Sequence, residues 1–328
     1  MHGSSSLRAW WAQRPAAAGA AVMATGIIGV GLRLAGYGTL SRIALVLSGV
    51  AWAVLAVDFA ARLLVQRERW RAEASTPCAL TAVAATAVLG TGLADLDRPV
   101  LAEALLALAA LLWPVLLFDV VRHWGRHMPG AVFLCCVATQ ALAVLGATLA
   151  RTEGVAWLAH TALVLFWLGL VLYCVALTRF GPREVLEGAG DHWVTGGALA
   201  ISALAGSRLY AAESGGLYLW NADDRDVLRG VTVALLTLSL VGYAVLLVGE
   251  VVRPRLGHDV RRWATVFPLG MTATAVLSVA DALDLPGLKG LGQVLLWIAV
   301  AAWLVVAAGA VTTARRALGA GGGGSPGE

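Results

Sequence analysis

Residues 154–178 read GVAWLAHTALVLFWLGLVLYCVALT and contain no Asp, Glu, Lys or Arg. A helix needs about 20 apolar residues to cross the hydrocarbon core of a bilayer, so this stretch is long enough to span one. Its apolar run is continuous and lacks the alternation of a membrane β-strand, which needs only about 10 residues. The stretch therefore predicts a transmembrane α-helix.

Similar charge-free stretches recur along the whole chain. The ten segments, numbered in chain order, are 15–32, 43–57, 74–94, 104–118, 128–150, 154–178, 192–207, 230–249, 263–280 and 290–314. The second, fourth and seventh are short, and we expect each to extend past a charge near its end, because terminal charged side chains reach the lipid headgroups. The sequence therefore predicts an all-α polytopic membrane protein with ten transmembrane helices.

The composition of the chain agrees with this fold class and excludes others. Hydrophobic residues make up 59% of the 328 residues and charged residues 13%, and the mean hydropathy is +0.79. So few charged side chains cannot cover a soluble domain, and their scarcity also excludes intrinsic disorder. The 24 basic residues lie in short clusters between apolar runs, so the net charge of +4 does not indicate a nucleic-acid partner.

The distribution of basic residues predicts the orientation in the bilayer. Sixteen of the 24 lie in the two tails and in the loops that follow even-numbered segments, so we expect that side, with both termini, to be cytoplasmic. We expect residues 1–14 to form a cytoplasmic amino tail, 15–315 the transmembrane domain, and 316–328 a flexible Gly-rich carboxyl tail. All basic residues but one are Arg, a bias typical of GC-rich bacterial genomes, so we expect a bacterial inner membrane.

Odd- and even-numbered segments differ in the size of their side chains. The odd segments are rich in Gly, whereas several even segments hold large aromatic residues such as Trp52, Trp113 and Trp303. Small residues permit close helix approach, and large apolar residues suit contact with lipid. We therefore predict five helical hairpins, each with its odd helix inside and its even helix outside, around a narrow lumen. A compact bundle without a lumen fits the composition equally well.

Two short motifs resemble those of a known family. Residues 23–26 in segment 1 read MATG, and residues 263–270 in segment 9 read WATVFPLG. They resemble the Met-(Gly/Ala)-Thr-Gly and Trp-x-x-x-Phe-Pro-(Leu/Ile)-Gly motifs of the tellurite-resistance and dicarboxylate transporter family. That family includes the bacterial TehA proteins, plant guard-cell slow anion channels, and yeast malate and sulfite transporters. Ten helices with both ends in the cytoplasm is also the family's topology.

The resemblance implies a homotrimer in which each protomer conducts anions through its own pore. It also implies that a Phe of the ninth helix, here Phe267, plugs the pore. Pro268 has no backbone N–H and clashes with the carbonyl of Ala264, so we expect a bend that holds the Phe267 ring across the lumen. An apolar ring there blocks hydrated ions by dewetting. Without the resemblance, a Phe packed between helices is the simpler interpretation.

Small polar groups in the inner helices are candidates for lining the lumen, because they partly replace the water shell of an anion while holding it weakly. The candidates are Thr25 with Gly26, Gly90 with Thr91, and Gly197 with Ser202. Close helix packing explains each of these residues as well. Arg208 follows Ser202 by less than two turns, and it is a candidate for a cation at the outer mouth or for a snorkelling side chain.

The sequence predicts passage of small inorganic anions or small carboxylates. A proton-coupled carrier for a dicarboxylate, sulfite or another oxyanion is the alternative, with Asp58, Glu103 and Asp281 as candidate titrating groups near the span ends. A membrane scaffold without a pathway is the alternative of another class. The sequence holds no nucleophile–base pair, HExxH motif or phosphate-binding Gly loop, so we expect no enzyme, no cofactor and no metal centre. Asp58 and Arg62 are four residues apart and are expected to pair.

Overall fold

The computed structural model describes residues 15–181, 190, 192–213, 220–252 and 262–320. Within these ranges the chain forms ten long α-helices in the order of the ten charge-free segments. They are α1 Pro15–Leu34, α2 Gly38–Val65, α3 Thr81–Ala94, α4 Pro99–Arg122, α5 Leu134–Glu153, α6 Ala156–Arg179, α7 Trp193–Ala212, α8 Ala222–Val252, α9 Trp263–Ala282 and α10 Pro286–Ala320. A short helix, Arg67–Ala74, follows α2, and 3₁₀ turns lead into α3 and α5.

Length and hydropathy support membrane crossing for most of these helices. Among the described residues, eight helical segments are long and apolar enough to span: α2, α4, α6, α8, α9 and α10, and α3 and α5 with their 3₁₀ turns. The apolar part of α1, Ala18–Leu34, is shorter, and α7 is not among the eight. The prediction of an all-α polytopic membrane protein is confirmed, and the count of ten crossings stays a prediction.

The three short segments extend past charges, as expected. Helix α2 includes Asp58 and Arg62, α4 includes Glu103, and α7 includes Arg208. The predicted pair between Arg62 Nη2 and Asp58 Oδ2 is confirmed at 2.8 Å. Arg62 Nη1 also lies 3.2 Å from Glu73 Oε2 in the short helix, so this buried guanidinium ties α2 to the segment that follows it.

The predicted tails fall largely beyond the described residues. Residues 1–14 and 321–328 lie outside them. Helix α10 continues through residue 320, so its last turn includes residues that we assigned to the carboxyl tail.

Burial separates the odd helices from the even ones. The apolar windows of α3, α5 and α9 are 72%, 100% and 89% buried, whereas those of the even helices are 17% to 33% buried. Each odd helix packs against the even helix that follows it, and the odd helices contact one another in a closed ring: α1, α3, α5, α7, α9 and back to α1. The predicted layering, with odd helices inside and even helices outside, is therefore confirmed. We call these five odd helices the inner ring.

Glycine permits close contact within the inner ring. A Cβ on Gly90 of α3 would lie 2.7 Å from Leu145 Cδ2 of α5, and one on Gly270 of α9 would lie 3.1 Å from Ile27 Cγ2 of α1. Neither position has room for a larger residue unless its neighbour moves. The small residues of the odd segments thus serve helix packing.

Three tryptophans of the outer helices donate hydrogen bonds to threonines of the inner ring. The bonds join Trp52 Nε1 to Thr86 Oγ1 (2.8 Å), Trp113 Nε1 to Thr139 Oγ1 (2.9 Å), and Trp303 Nε1 to Thr25 Oγ1 (2.9 Å). Each threonine hydroxyl donates its own hydrogen to a carbonyl four residues earlier. Each indole bonds to the inner helix of the next hairpin along the chain. For α10, which belongs to the last hairpin, the partner is α1 of the first hairpin. Each of these outer helices therefore contacts two inner helices.

The expectation that the large aromatic residues face lipid is wrong for these three tryptophans. An indole N–H needs an acceptor, which lipid tails do not provide, so the half-buried ring turns towards a threonine. Trp157 of α6 does follow the expectation, since it is 66% exposed on the outer surface.

Candidate functional site

A small apolar cavity lies on the axis of the inner ring. All five inner helices line it, and its volume is about 10 Å³. The lining residues are Ile27 and Val30 of α1, Val88 and Thr91 of α3, Ala141 and Val144 of α5, Ile201 and Leu204 of α7, and Met271 of α9. A cavity of this volume holds about one water molecule, so a hydrated anion does not fit at this level.

Phe267 lies beside the axis, one helical turn before Met271 and on the same face of α9. Its side chain is 2% exposed. At the contact between α7 and α9, a Cβ on Gly197 would lie 3.4 Å from Phe267 Cε1 and 3.0 Å from Pro268 Cγ. Gly197 itself lies one turn before Ile201, which lines the cavity. Phe267 and Pro268 therefore pack against α7 on the amino-terminal side of the cavity.

Replacing Gly197 with Ala tests this contact. The added methyl group meets Pro268, so we expect Gly197→Ala to lower the free energy of unfolding by about 1–3 kcal/mol. The matched control is Gly196→Ala, whose Cβ would lie 3.5 Å from its nearest neighbour, Leu246 Cδ1. There we expect a gain of up to about 1 kcal/mol from helix propensity. Thermal and denaturant unfolding in detergent measure both variants, and equal changes in the two would contradict the close contact.

Two of the predicted lining residues on α1 lie in helix contacts. The Thr25 hydroxyl accepts the hydrogen bond from Trp303 of α10. A Cβ on Gly26 would lie 3.0 Å from Val88 Cγ1 and 3.1 Å from Ser48 Oγ. The structure thus places Thr25 against an outer helix and Gly26 against α2 and α3.

Among the candidates on the other helices, Gly90 and Ser202 also lie in helix contacts, whereas Thr91 lines the cavity. Gly90 packs against Leu145 of α5. The Ser202 hydroxyl donates to a carbonyl of its own helix and lies 3.9 Å from Cys136 Sγ of α5. Of the six predicted lining residues, Thr91 is the one that lines the axial cavity, and its hydroxyl donates to the carbonyl of its own helix four residues earlier.

The aliphatic residues that surround the axis are not among the lining residues predicted from the sequence. Pairs spaced three residues apart supply most of the lining: 27 and 30, 88 and 91, 141 and 144, and 201 and 204. Residues three apart share a helix face, so this repeated spacing of aliphatic residues in the odd segments indicates the face that lines the axis. Polar residue types alone do not indicate it.

A polar space, which we call the vestibule, opens at the carboxyl-terminal ends of the inner ring. Its volume is about 330 Å³. Its lining residues are Arg33 and Leu34 of α1, Asp95 after α3, Arg151 of α5, Arg208 and Ala211 of α7, and Ser278, Asp281 and Ala282 of α9. Every inner helix contributes its carboxyl-terminal end, so the five helices run parallel and the vestibule shares their axis. Three arginines and two aspartates give the vestibule a formal charge of +1.

Arg208 lines the vestibule, but its guanidinium is paired. Arg208 Nη1 lies 3.1 Å from Asp95 Oδ1, and Nη2 lies 3.1 Å from Oδ2. The Arg208 and Asp95 side chains are 7% and 15% exposed. The sequence does not indicate this partner, because the two residues are 113 positions apart and meet only through the packing of the ring.

Comparisons with known proteins agree with the motifs in α1 and α9. A family model described as SLAC1, voltage-dependent anion channel, matches residues 14–311. A comparison with curated proteins found no match. The family match covers α1 to α9 in full and most of α10, so the resemblance drawn from the two motifs is confirmed. The chain belongs to the SLAC1 family of voltage-dependent anion channels.

Proposed function

We propose that the chain conducts small anions along the axis of the inner ring and that Phe267 occludes this path. The observation that carries the proposal is the succession of three features along one axis. The first is the contact of Phe267 with Gly197, the second is the apolar cavity, and the third is the vestibule. Membership of an anion-channel family supports anions as the cargo.

Closure of the path rests on dewetting. Phe267 and the aliphatic lining of the cavity offer a permeating ion no compensation for its lost water, and an unpaired charge in such a place is very costly. Conduction therefore requires the Phe267 ring to move away from its contact with α7 and water to enter the cavity. Thr91 then supplies a hydroxyl on the axis, and it donates to a passing anion only when its hydrogen turns away from the carbonyl of Ala87.

Selection for anions rests on the positive charge of the vestibule. Its formal charge of +1 raises the local concentration of anions. The residues that line the cavity include no Lys or Arg, so an anion is held weakly there and discrimination among small inorganic anions or small carboxylates is modest.

We further propose the membrane, the orientation and the oligomeric state in which this path operates. The distribution of basic residues supports an orientation with the vestibule outside and both termini in the cytoplasm of a bacterial inner membrane. The exposed apolar surfaces of the even helices contact the lipid bilayer. The family resemblance implies a homotrimer with one path in each protomer.

The positions of the acidic groups favour a channel over a proton-coupled carrier. Asp58 is paired with Arg62, Glu103 is exposed on α4, and Asp281 lines the vestibule. None of the residues that line the cavity can titrate in the range of a proton-coupled step. A scaffold without a path gives no reason for a polar vestibule on the axis of the inner ring.

Electrical recording from purified protein with chloride, nitrate and malate in turn tests the proposal. We expect currents that follow the anion gradient and that an imposed pH gradient does not drive. Uphill anion accumulation under a pH gradient would establish a coupled carrier instead. Absence of flux both in the wild type and after Phe267→Ala would support a scaffold.

A further inference from the structure

We propose that Arg208 forms an anion-binding subsite at the entrance from the vestibule to the cavity. One edge of its guanidinium is held by Asp95, and the other edge binds one small monovalent anion, such as chloride or nitrate. This inference rests on the proposed function for its role in permeation, but the binding step can be measured separately.

The ion pair joins two inner helices across the interior of the inner ring. Arg208 belongs to α7 and Asp95 follows α3, and these two helices are not neighbours in the ring. Arg208 lies one turn after Leu204, and Asp95 lies one turn after Thr91, and both Leu204 and Thr91 line the cavity. An anion that moves between vestibule and cavity therefore passes directly beside this pair.

The guanidinium of Arg208 has unused donors. Asp95 accepts from Nη1 and Nη2, so it holds the end of the guanidinium. Nε is buried and has no hydrogen-bond partner among the described residues. A guanidinium has five N–H donors and no acceptor, and a buried donor without a partner is unfavourable. An anion satisfies such an edge with charge-assisted hydrogen bonds.

Burial distinguishes Arg208 from the other arginines of the vestibule. Arg33 and Arg151 are exposed, whereas the Arg208 side chain is 7% exposed. Exposed charges are screened by salt, so Arg33 and Arg151 attract anions from a distance without fixing them. Arg208 lies deepest and offers a partly desolvated site, where hydrogen bonds to an anion are stronger.

Asp95 has two effects on this subsite. Its carboxylate fixes the orientation of the guanidinium, and its negative charge weakens anion binding, as rapid release requires. Helix stability does not explain the carboxylate, because Asp95 follows the carboxyl-terminal end of α3, where the helix dipole disfavours a negative charge. We therefore assign Asp95 as a positioning residue that keeps the affinity of Arg208 low.

Four variants separate direct binding by Arg208 from a general effect of charge. Asp95→Asn raises the formal charge of the vestibule from +1 to +2, and Arg208→Gln and Arg33→Gln each lower it to 0. The double variant Asp95→Asn/Arg208→Gln keeps +1 and leaves no unpaired buried charge, so it serves as the folded control. Binding is read from the chloride-dependent rise of the unfolding temperature in detergent, with gluconate replacing chloride at constant ionic strength.

We expect Asp95→Asn to lower the half-saturating chloride concentration by on the order of tenfold. Saturable stabilisation should disappear in Arg208→Gln and in the double variant, and Arg33→Gln should shift half-saturation by only about twofold, because its charge is screened. Each variant is also combined with Phe267→Ala, and chloride flux is measured in proteoliposomes. The half-saturating chloride concentrations for flux should rank the variants in the same order as those for binding.

Two results would overturn the subsite. In the first, the double variant binds chloride like the wild type and Arg33→Gln matches Arg208→Gln, so that binding follows formal charge alone. In the second, no variant changes half-saturation. If binding behaves as expected but no protein conducts, the proposed function fails while the subsite stands. If flux is normal and binding does not depend on Arg208, the subsite fails while the proposed function stands.

Discussion

Replacing Phe267 with Ala is expected to raise anion flux in proteoliposomes by at least about tenfold, because a barrier that excludes water from the axis is removed. The ring is 2% exposed and packs beside the axis, next to Gly197 and one turn before Met271. Its loss joins the space that it filled to the axial cavity. Water then reaches the cavity, and an anion no longer has to lose its whole hydration shell at this level.

The matched control is Phe166→Ala. Phe166 is 0% exposed on α6, outside the inner ring, so its loss also leaves a buried cavity. Each substitution is expected to lower the free energy of unfolding by about 3–5 kcal/mol. Only Phe267→Ala should raise flux, and Phe267→Leu, which keeps apolar bulk, should raise it less. Wild-type flux in a folded Phe267→Ala protein, or an equal rise in Phe166→Ala, would show that Phe267 is not the gate.

The second large effect concerns stability. Arg208→Gln is expected to lower the free energy of unfolding by about 3 kcal/mol, because it removes the cation from the carboxylate of Asp95, whose side chain is only 15% exposed. Asp95→Asn added to Arg208→Gln should restore most of the loss, since two neutral amides need no charged partner. Denaturant unfolding in detergent measures both variants.

A more exposed ion pair provides the comparison for Arg208. Arg262 Nη1 lies 2.9 Å from Glu250 Oε1, and these side chains are 21% and 24% exposed. Water compensates a broken pair better there, so Arg262→Gln should cost about 1 kcal/mol or less. A cost for Arg208→Gln no larger than that for Arg262→Gln, or no recovery in the double variant, would contradict a buried, mutually dependent pair.

Most of the fold is predictable from the sequence because the bilayer imposes local constraints. Charge-free stretches locate all ten long helices of the described residues, and the charges Asp58, Glu103 and Arg208 fall inside helices near their ends. Ion pairs hold Asp58 and Arg208 there, whereas Glu103 is exposed. The contrast between glycine and large aromatic residues predicts which helices are inside. It fails for Trp52, Trp113 and Trp303, because the hydrogen bond of an indole depends on a partner in another helix.

The candidate site is predictable only in part. The Phe267–Pro268 pair in α9 and Gly197 in α7 can be recognised as candidates from the sequence, and the structure brings them into contact. Thr25, Gly26, Gly90 and Ser202 lie in helix contacts, because a small residue on an inner helix serves packing more often than it lines a lumen. The aliphatic lining and the pairing of Arg208 with Asp95 depend on helix rotation and register, which periodicity alone does not determine.

Modification of a cysteine on the axis tests most directly whether anions follow the inner ring. Val144 lines the cavity, and Val164 is 66% exposed on the outer face of α6. Each is replaced by Cys in protein that carries Phe267→Ala, and a negatively charged thiosulfonate reagent is added in water. We expect the reagent to block flux in Val144→Cys and to leave flux unchanged in Val164→Cys and in the parent protein. Full flux in Val144→Cys after the same treatment, or a block in Val164→Cys, would contradict an anion path along the inner ring.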